Sequence, residues 1–264
     1  MNISQKNPTY GKTEVVICKD EYDLGRQAAA AVSAVMRQLL ASKDRIHMTF
    51  AAGESQITFL DALASEKGID WQRVICFSID DFHHVGIPER FTCGHQVQKQ
   101  LWSKVHPGRT HRVHADAADP EAEAARFEKL IRSAGPVDVL CQGIGTSGHL
   151  ALNEPFDANF HDPAWVRVVT IADQSKRQLR DDPNFKALGY IPDKGITMTI
   201  PAIISSQHIF TIVPLALKRP ILTRLFGFTK PSTELPASIL SEVPGTLFVD
   251  RNSCPEALLS RGAE

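Results

Sequence analysis

Two clusters of titratable residues stand at the ends of apolar runs. Residues 137–141 read as a buried strand and give way to Gly143, Gly145 and Gly148, then to His149 and Glu154. Upstream, the apolar run 74–77 leads into Ser78, Ile79, Asp80 and Asp81. A carboxylate able to take a proton, beside an imidazole partnered by a second carboxylate, is the equipment of general acid–base catalysis. Open α/β sheets hold their ligand crevice outside the carboxyl ends of parallel strands, so the two clusters point to one composite site. Each has a plainer reading as well. Asp80 and Asp81 serve as a strand-end cap pair, Asn153 and Glu154 before Pro155 build a turn, and His149 is a satisfied loop histidine.

The elements that must position these residues alternate along the chain, as βαβ units do. Strands are expected over 14–18, 47–52, 74–79, 137–141, 166–171, 196–200, 208–213 and 246–249, and helices over 20–40, 55–65, 96–105, 120–133, 173–180, 201–206 and 217–226. Asp119 followed by Pro120 is a helix opening, with proline at the first helical position. Right-handed crossovers then put helices on both faces of the sheet. The expected fold is a Rossmann-like three-layer αβα sandwich with a mainly parallel sheet, in one domain over residues 1–264. The polar stretch 82–94 has no periodicity and reads as a lid loop.

Composition narrows the function classes. The 29 basic and 30 acidic residues leave a formal charge of −1, so no global field favours nucleic acid or an anionic membrane, and any phosphate must be caught locally. No apolar run reaches the length of a membrane span or of a signal segment. The five cysteines are odd in number and form no CxxC pair, which suits reduced core thiols in a cytoplasmic protein. His83, His84, His95, His106, His111 and His114 match no ligand spacing, so no metal is assigned.

With those residues on the page, four segments carry a resemblance. GIGTSGHLALNEP and FSIDDFHHVG are similar to the two main motifs of the glucosamine-6-phosphate deaminase/isomerase family, within the superfamily that also holds the 6-phosphogluconolactonases. AAGESQITFLDAL and GITMTIPAIISSQHIFTIVPLALK extend the match in the family's order over roughly 15–250. The resemblance implies that Asp80 is the base that moves a proton between two sugar carbons. It makes His149 the ring-opening acid/base and Glu154 the carboxylate that tunes it. It places Gly53, Ser55 and Gly145 with Arg177, Arg180 and Lys218 around a phosphate, with Arg177 and Arg180 as rivals one helical turn apart. Ser147 stands where the family carries an aspartate two residues before the histidine, and a hydroxyl there can still orient the ring. Asp81 matches a family acidic residue and reads as structural support.

The activity so implied is cofactor-free conversion of a hexosamine 6-phosphate to fructose 6-phosphate and ammonia. The alternatives are 6-phosphogluconolactone hydrolysis and non-catalytic sugar phosphate binding, the latter suggested by Ser147 and by Glu54 in the phosphate loop. A small-molecule sugar phosphate is the expected partner, with neither nucleic acid nor membrane. Some family members form hexamers, and the sequence leaves a homo-oligomer open.

Overall fold

The computed structural model describes residues 7–181 and 183–260, so the amino-terminal stretch weighed as a signal segment begins outside them. The strands are β1 (Thr9–Tyr10), β2 (Thr13–Cys18), β3 (Ile46–Phe50), β4 (Val74–Ser78), β5 (Asp80–His83), β6 (Arg109–His111), β7 (Val139–Gln142), β8 (Val166–Thr170), β9 (Lys194–Met198), β10 (His208–Val213) and β11 (Gly245–Asp250). The helices are α1 (Glu21–Ser42), α2 (Ile57–Ser65), α3 (Cys93–Val97), α4 (Ser103–Val105), α5 (Pro120–Ala134), α6 (Asp173–Asp181), α7 (Pro183–Leu188), α8 (Ile200–Ile204), α9 (Arg219–Phe226) and α10 (Glu256–Leu259). A π-helical turn, Gln98–Trp102, joins α3 to α4.

The main sheet has the order β1-β2-β11-β10-β7-β3-β4-β6 and is parallel except at β1, which pairs antiparallel with β2. Strand side chains alternate between its faces. Met48, Phe50, Cys76, Val139, Cys141 and Ile212 pack with Leu24, Val32 and Met36 of α1 and Phe59 and Leu63 of α2. Phe77, Leu140, Val213 and Val249 pack with Phe127 of α5, Ile203 of α8 and Leu222 of α9. Each of these large side chains, taken fully out of water, contributes ~1.5–3 kcal/mol. The three layers match the sequence expectation, and Asp119 caps α5 through Glu121 N and Ala122 N ahead of Pro120.

The placement of β7 matters most for function. From β3 the chain moves to β4 on one side, whereas from β7 it proceeds to β10 on the other. The loops leaving β3 and β7 therefore diverge and open a crevice, as at the switch point of any doubly wound sheet.

Three strands lie outside the main sheet. β5, β9 and β8 form a separate antiparallel sheet in that order, with Asp80 opposite Thr197 and Asp81 opposite Ile196. Alternation identified β8 and β9 as strands but carried no information on their partner. The 82–94 stretch is not the lid expected of it. Phe82 and His83 belong to β5, Ile87 and Phe91 are buried in a cluster with Ala115, and Asp81 fastens the far end through Cys93 N and Gly94 N. All five cysteines are free thiols, four of them buried. No helix among the described residues is long and apolar enough to cross a membrane.

Candidate active site

The loop after β7 turns tightly, with Gly148 N donating to Gly145 O at 2.9 Å and Gly145 N to His149 O at 3.0 Å. The turn lays the His149 ring on Gly145. A Cβ at Gly145 would stand 2.0 Å from His149 Nε2 and 2.1 Å from Cε1, so only glycine leaves room for the imidazole. Gly145 was expected at the phosphate, and the structure gives it the histidine instead. Gly145→Ala is expected to displace the ring and lower kcat about 100-fold, the scale of a 1 Å misplacement. Steady-state kinetics, with the His149 ring signals in an NMR spectrum, check this.

His149 is held from one side. Its Nδ1 lies 3.0 Å from Glu154 Oε1 and 2.9 Å from Ser147 Oγ, and Ser147 donates its single proton to Glu154 Oε2 at 2.6 Å. Ser147 therefore accepts at Nδ1, as Glu154 does, which assigns the ring proton to Nδ1 and leaves Nε2 as the basic nitrogen. Glu154 is 2 % exposed and also accepts a short hydrogen bond from Ser175 Oγ of α6. Burial pushes the Glu154 carboxyl up, but the hydrogen bond and charge of His149 and the hydroxyls of Ser147 and Ser175 outweigh it and hold the group down at about 2. Serine in place of a second carboxylate thus leaves a complete relay with one negative charge.

Asp80 is linked to the His149 loop through β9. Thr197, its ladder partner, accepts Leu152 N at its Oγ1, at 3.1 Å, and Asn153 Nδ2 donates to Met198 O at 2.8 Å and Leu150 O at 2.9 Å. The residues between His149 and Glu154 are thereby tied to the strand beside Asp80. Asn153 builds the turn and Glu154 is left for the imidazole, so the plainer reading of this pair holds for Asn153 alone.

Asp80 and Asp81 are both buried and adjacent, and they differ in their hydrogen bonds. Burial pushes Asp81 up, but backbone N–H groups of Gly94, Cys93 and Phe82 and the charge of Arg112 work against it. Burial still wins and leaves Asp81 raised, at about 7, the more acidic of the two. Asp80 is pushed up to about 8 by burial and then by the charge of Asp81. Two neighbouring buried carboxyls do not both ionise readily, so the pair retains a proton well above the ordinary carboxylate range.

The phosphate candidates converge only in part. Lys218 is 8 % exposed and donates from Nζ to Ile144 O in the β7 loop at 2.7 Å. Burial pushes its ammonium down to about 8, against the charge of Glu54. The turn delivering it bends at Leu215, whose φ of 82° lies in the left-handed region and whose N–H reaches Asp250 Oδ2 at 3.4 Å. Such strain persists where the surroundings over-determine it. Ser55 lies in the same corner, its Oγ 3.5 Å from where a Gly143 Cβ would be. Gln56 Nε2 lies 3.1 Å from Ser55 Oγ and donates to it, so the serine proton is aimed elsewhere. Gly53 has φ 107°, and its N–H is taken by Gln96 Oε1 at 3.1 Å, so it holds the turn rather than a ligand. Glu54 is exposed.

Arg177 and Arg180 are also exposed on α6. With Ser175 directed at Glu154, they stand about 200° and about 140° further round the helix. The structure does not bring either to Lys218. Sequence reasoning missed Ser175, Gln56, Gln96 and Thr197, whose roles rest on long-range hydrogen bonds. A cavity of about 560 Å³ opens beside the relay, lined among others by Thr146, Ser147, Gln174 and Arg224, a volume suited to a small ligand.

Fold and site together define a doubly wound α/β protein with a histidine–carboxylate cluster in the loop that leaves the carboxyl end of β7. Within that class the chain belongs to the Glucosamine-6-phosphate isomerases/6-phosphogluconolactonase family, whose model matches residues 19–249. A glucosamine-6-phosphate deaminase of Halothermothrix orenii is 28% identical over 247 residues, which are 90% of this chain and 98% of the relative. One of Cutibacterium acnes is 30% identical over 248 residues, covering 89% of this chain and 88% of the relative. Among solved structures, a monomeric glucosamine-6-phosphate deaminase superposes with a TM-score of 0.79 at 23% identity, covering 90% of this chain and 98% of its own. The 6-phosphogluconolactonase of Thermotoga maritima does so at 0.72 and 20% identity, covering 90% and 99%. At these identities the two structures share the fold.

Proposed function

We propose that this chain is an aldose–ketose isomerase and deaminase that converts a hexosamine 6-phosphate, glucosamine 6-phosphate or an isomer, to fructose 6-phosphate and ammonia. The observation that carries this reading is that a buried carboxyl raised to about 8, Asp80, and a carboxylate-bound imidazole, His149, lie on segments tied together through β9. Lactone hydrolysis needs a single base to activate water and leaves Asp80 without a task. The deaminase names of the sequence relatives support the same choice.

The chemistry divides between the two groups. His149 Nε2 takes the proton from the hydroxyl on carbon 1 and returns one to the ring oxygen, which opens the sugar to the aldehyde. Asp80, as the carboxylate, takes the proton on carbon 2, and the electron pair moves to form an enolamine while the aldehyde oxygen gains a proton from water, matched by the one that the nitrogen releases as the imine forms. Asp80 then delivers its proton to carbon 1, leaving an imine at carbon 2 that water hydrolyses to the ketone and ammonia. Atoms balance with water as the only co-reactant. Ser55 and Lys218 hold the phosphate, and Glu154, Ser147 and Asp81 set the charge states of the two catalytic groups. The reading also implies a cytoplasmic enzyme of amino sugar catabolism, such as that of N-acetylglucosamine.

The acid limb of the pH profile follows from the same site. Asp80 must be ionised to act, so kcat/KM is expected to rise with pH up to about 8, well above the range of an ordinary carboxylate. A limb near pH 4 would remove Asp80 as the base. The function itself is tested by ammonia release from the 6-phosphates of glucosamine and galactosamine, run beside 6-phosphogluconolactone hydrolysis. Ammonia release is the expected result. Lactone hydrolysis without it, or no turnover by folded protein, overturns the reading.

A further inference from the structure

We propose that Ser175 is a positioning residue, which fixes Glu154 against His149 and so holds the imidazole in the Nδ1–H form with Nε2 turned to the substrate. The proposal rests on the acid–base reading of His149, though not on which sugar is bound. Glu154 sits behind Ala151, which adopts φ 51°, and carries its carboxylate to His149 on a bent loop. Donors on the same loop move with it, so the carboxylate is fixed against the rest of the fold only by a donor from outside the loop. Ser147 engages Oε2, and Oε1 is shared by His149 Nδ1 and Ser175 Oγ. Ser175 is 7 % exposed and is the only one of these partners that comes from outside the 147–154 loop.

Its helix leads into a segment that packs against the residues after Asp80 and Asp81. In the segment that follows α6, Phe185 packs edge-on against Phe82 at 5.4 Å and Tyr190 lies 4.3 Å from the His84 ring, ring centroid to centroid. Leu188 packs against Ile87, Phe91 and Ala115. Phe82 and His84 directly follow the Asp80–Asp81 pair. The segment bearing Ser175 therefore touches the base loop by packing and the imidazole relay by one hydrogen bond. Ser175 carries the registration between the two.

Loss of the Ser175 donor frees Glu154 to move with its own loop, so Nδ1 loses an acceptor of fixed position and the ring admits the Nε2–H form. Ser175→Ala is expected to lower kcat about 10-fold with KM nearly unchanged, and to move the His149 ring nitrogen signals toward a mixture of the two tautomers. Ser175→Thr, which keeps the hydroxyl, restores most of both, and Ser175→Cys, a weak donor, falls between.

The experiment is a 15N NMR titration of the His149 ring in the free protein for wild type and the three variants, beside kcat and KM for ammonia release. The ring titration needs no substrate. Graded ring shifts with no turnover of any hexosamine phosphate would uphold Ser175 and remove the deaminase reading. Unchanged ring signals in Ser175→Ala, or a threonine variant no closer to wild type than the alanine one, would overturn the role of Ser175 whatever the activity.

Discussion

Asp80→Asn is expected to lower kcat by about 1,000-fold, within the range of a lost general acid–base group, and at the same time to raise the thermal midpoint above neutral pH. The two effects share one origin. Asp80 is buried beside Asp81 and is pushed up to about 8, so its charged form is the one the fold disfavours and the one the chemistry needs. In the unfolded chain it ionises near 3.8. Between those values the unfolded state binds fewer protons than the folded one, so stability falls as pH rises across the window and stays reduced above it.

An amide carries no such titration. Each pH unit of displacement corresponds to about 1.4 kcal/mol, and allowing for relaxation the variant is expected to gain ~2–5 kcal/mol at pH 9. For a chain of this size that is roughly 5–15 °C in the midpoint, with little difference at pH 4, close to the unfolded value, where little of the penalty has yet built up. Melting curves at the two pH values, with kcat at pH 8, measure both halves. An inactive variant with no stability gain at high pH would mean that Asp80 is not held protonated by burial. A stable variant of undiminished activity would mean that it is not the base.

Such tension between site and fold also explains what the sequence makes visible. The apolar runs that became β2, β3, β4, β7, β10 and β11 are legible because strands buried on both faces require them, and Asp80, His149 and Glu154 are legible because titratable groups break those runs at one end. β6 escaped notice because Arg109, Thr110 and His111 form an edge strand without an apolar pattern. The separate sheet escaped because alternation marks a strand and not its neighbour. Ser175 and Thr197 escaped for a related reason. A buried hydroxyl aimed at a carboxylate or an amide far along the chain has the same local sequence as a surface serine or threonine. Gly145 was legible as a glycine that must be there, but the group that fills its missing side chain could only be seen in three dimensions.

Lys218→Met is expected to lower kcat/KM for the sugar phosphate by about 1,000-fold, almost entirely through KM, while making the protein more stable at pH 7. Removing one partner of a buried charge pair loses about 2–5 kcal/mol, and 4.1 kcal/mol is about 1,000-fold in affinity. The phosphate lies at the far end of the sugar from the carbons that exchange a proton. Its contacts are therefore nearly the same in ground and transition states, and their loss appears in KM rather than kcat.

Stability runs the other way. Burial pushes the Lys218 ammonium from 10.5 down to about 8 against the partial help of Glu54. Below pH 8 the folded state carries the full penalty of a buried cation, and stability recovers only as pH rises from 8 to 10.5, where the unfolded chain still holds the proton that the folded one has released. Methionine keeps the apolar stem and removes the charge. Against that gain stands Ile144 O, which loses its donor, so the net expectation at pH 7 is ~1–2 kcal/mol of added stability that fades above pH 10. The same variant with a substrate lacking the phosphate should show no further loss. A fall in kcat instead, with KM preserved, would place Lys218 at the reacting carbons and move the phosphate to another part of the crevice.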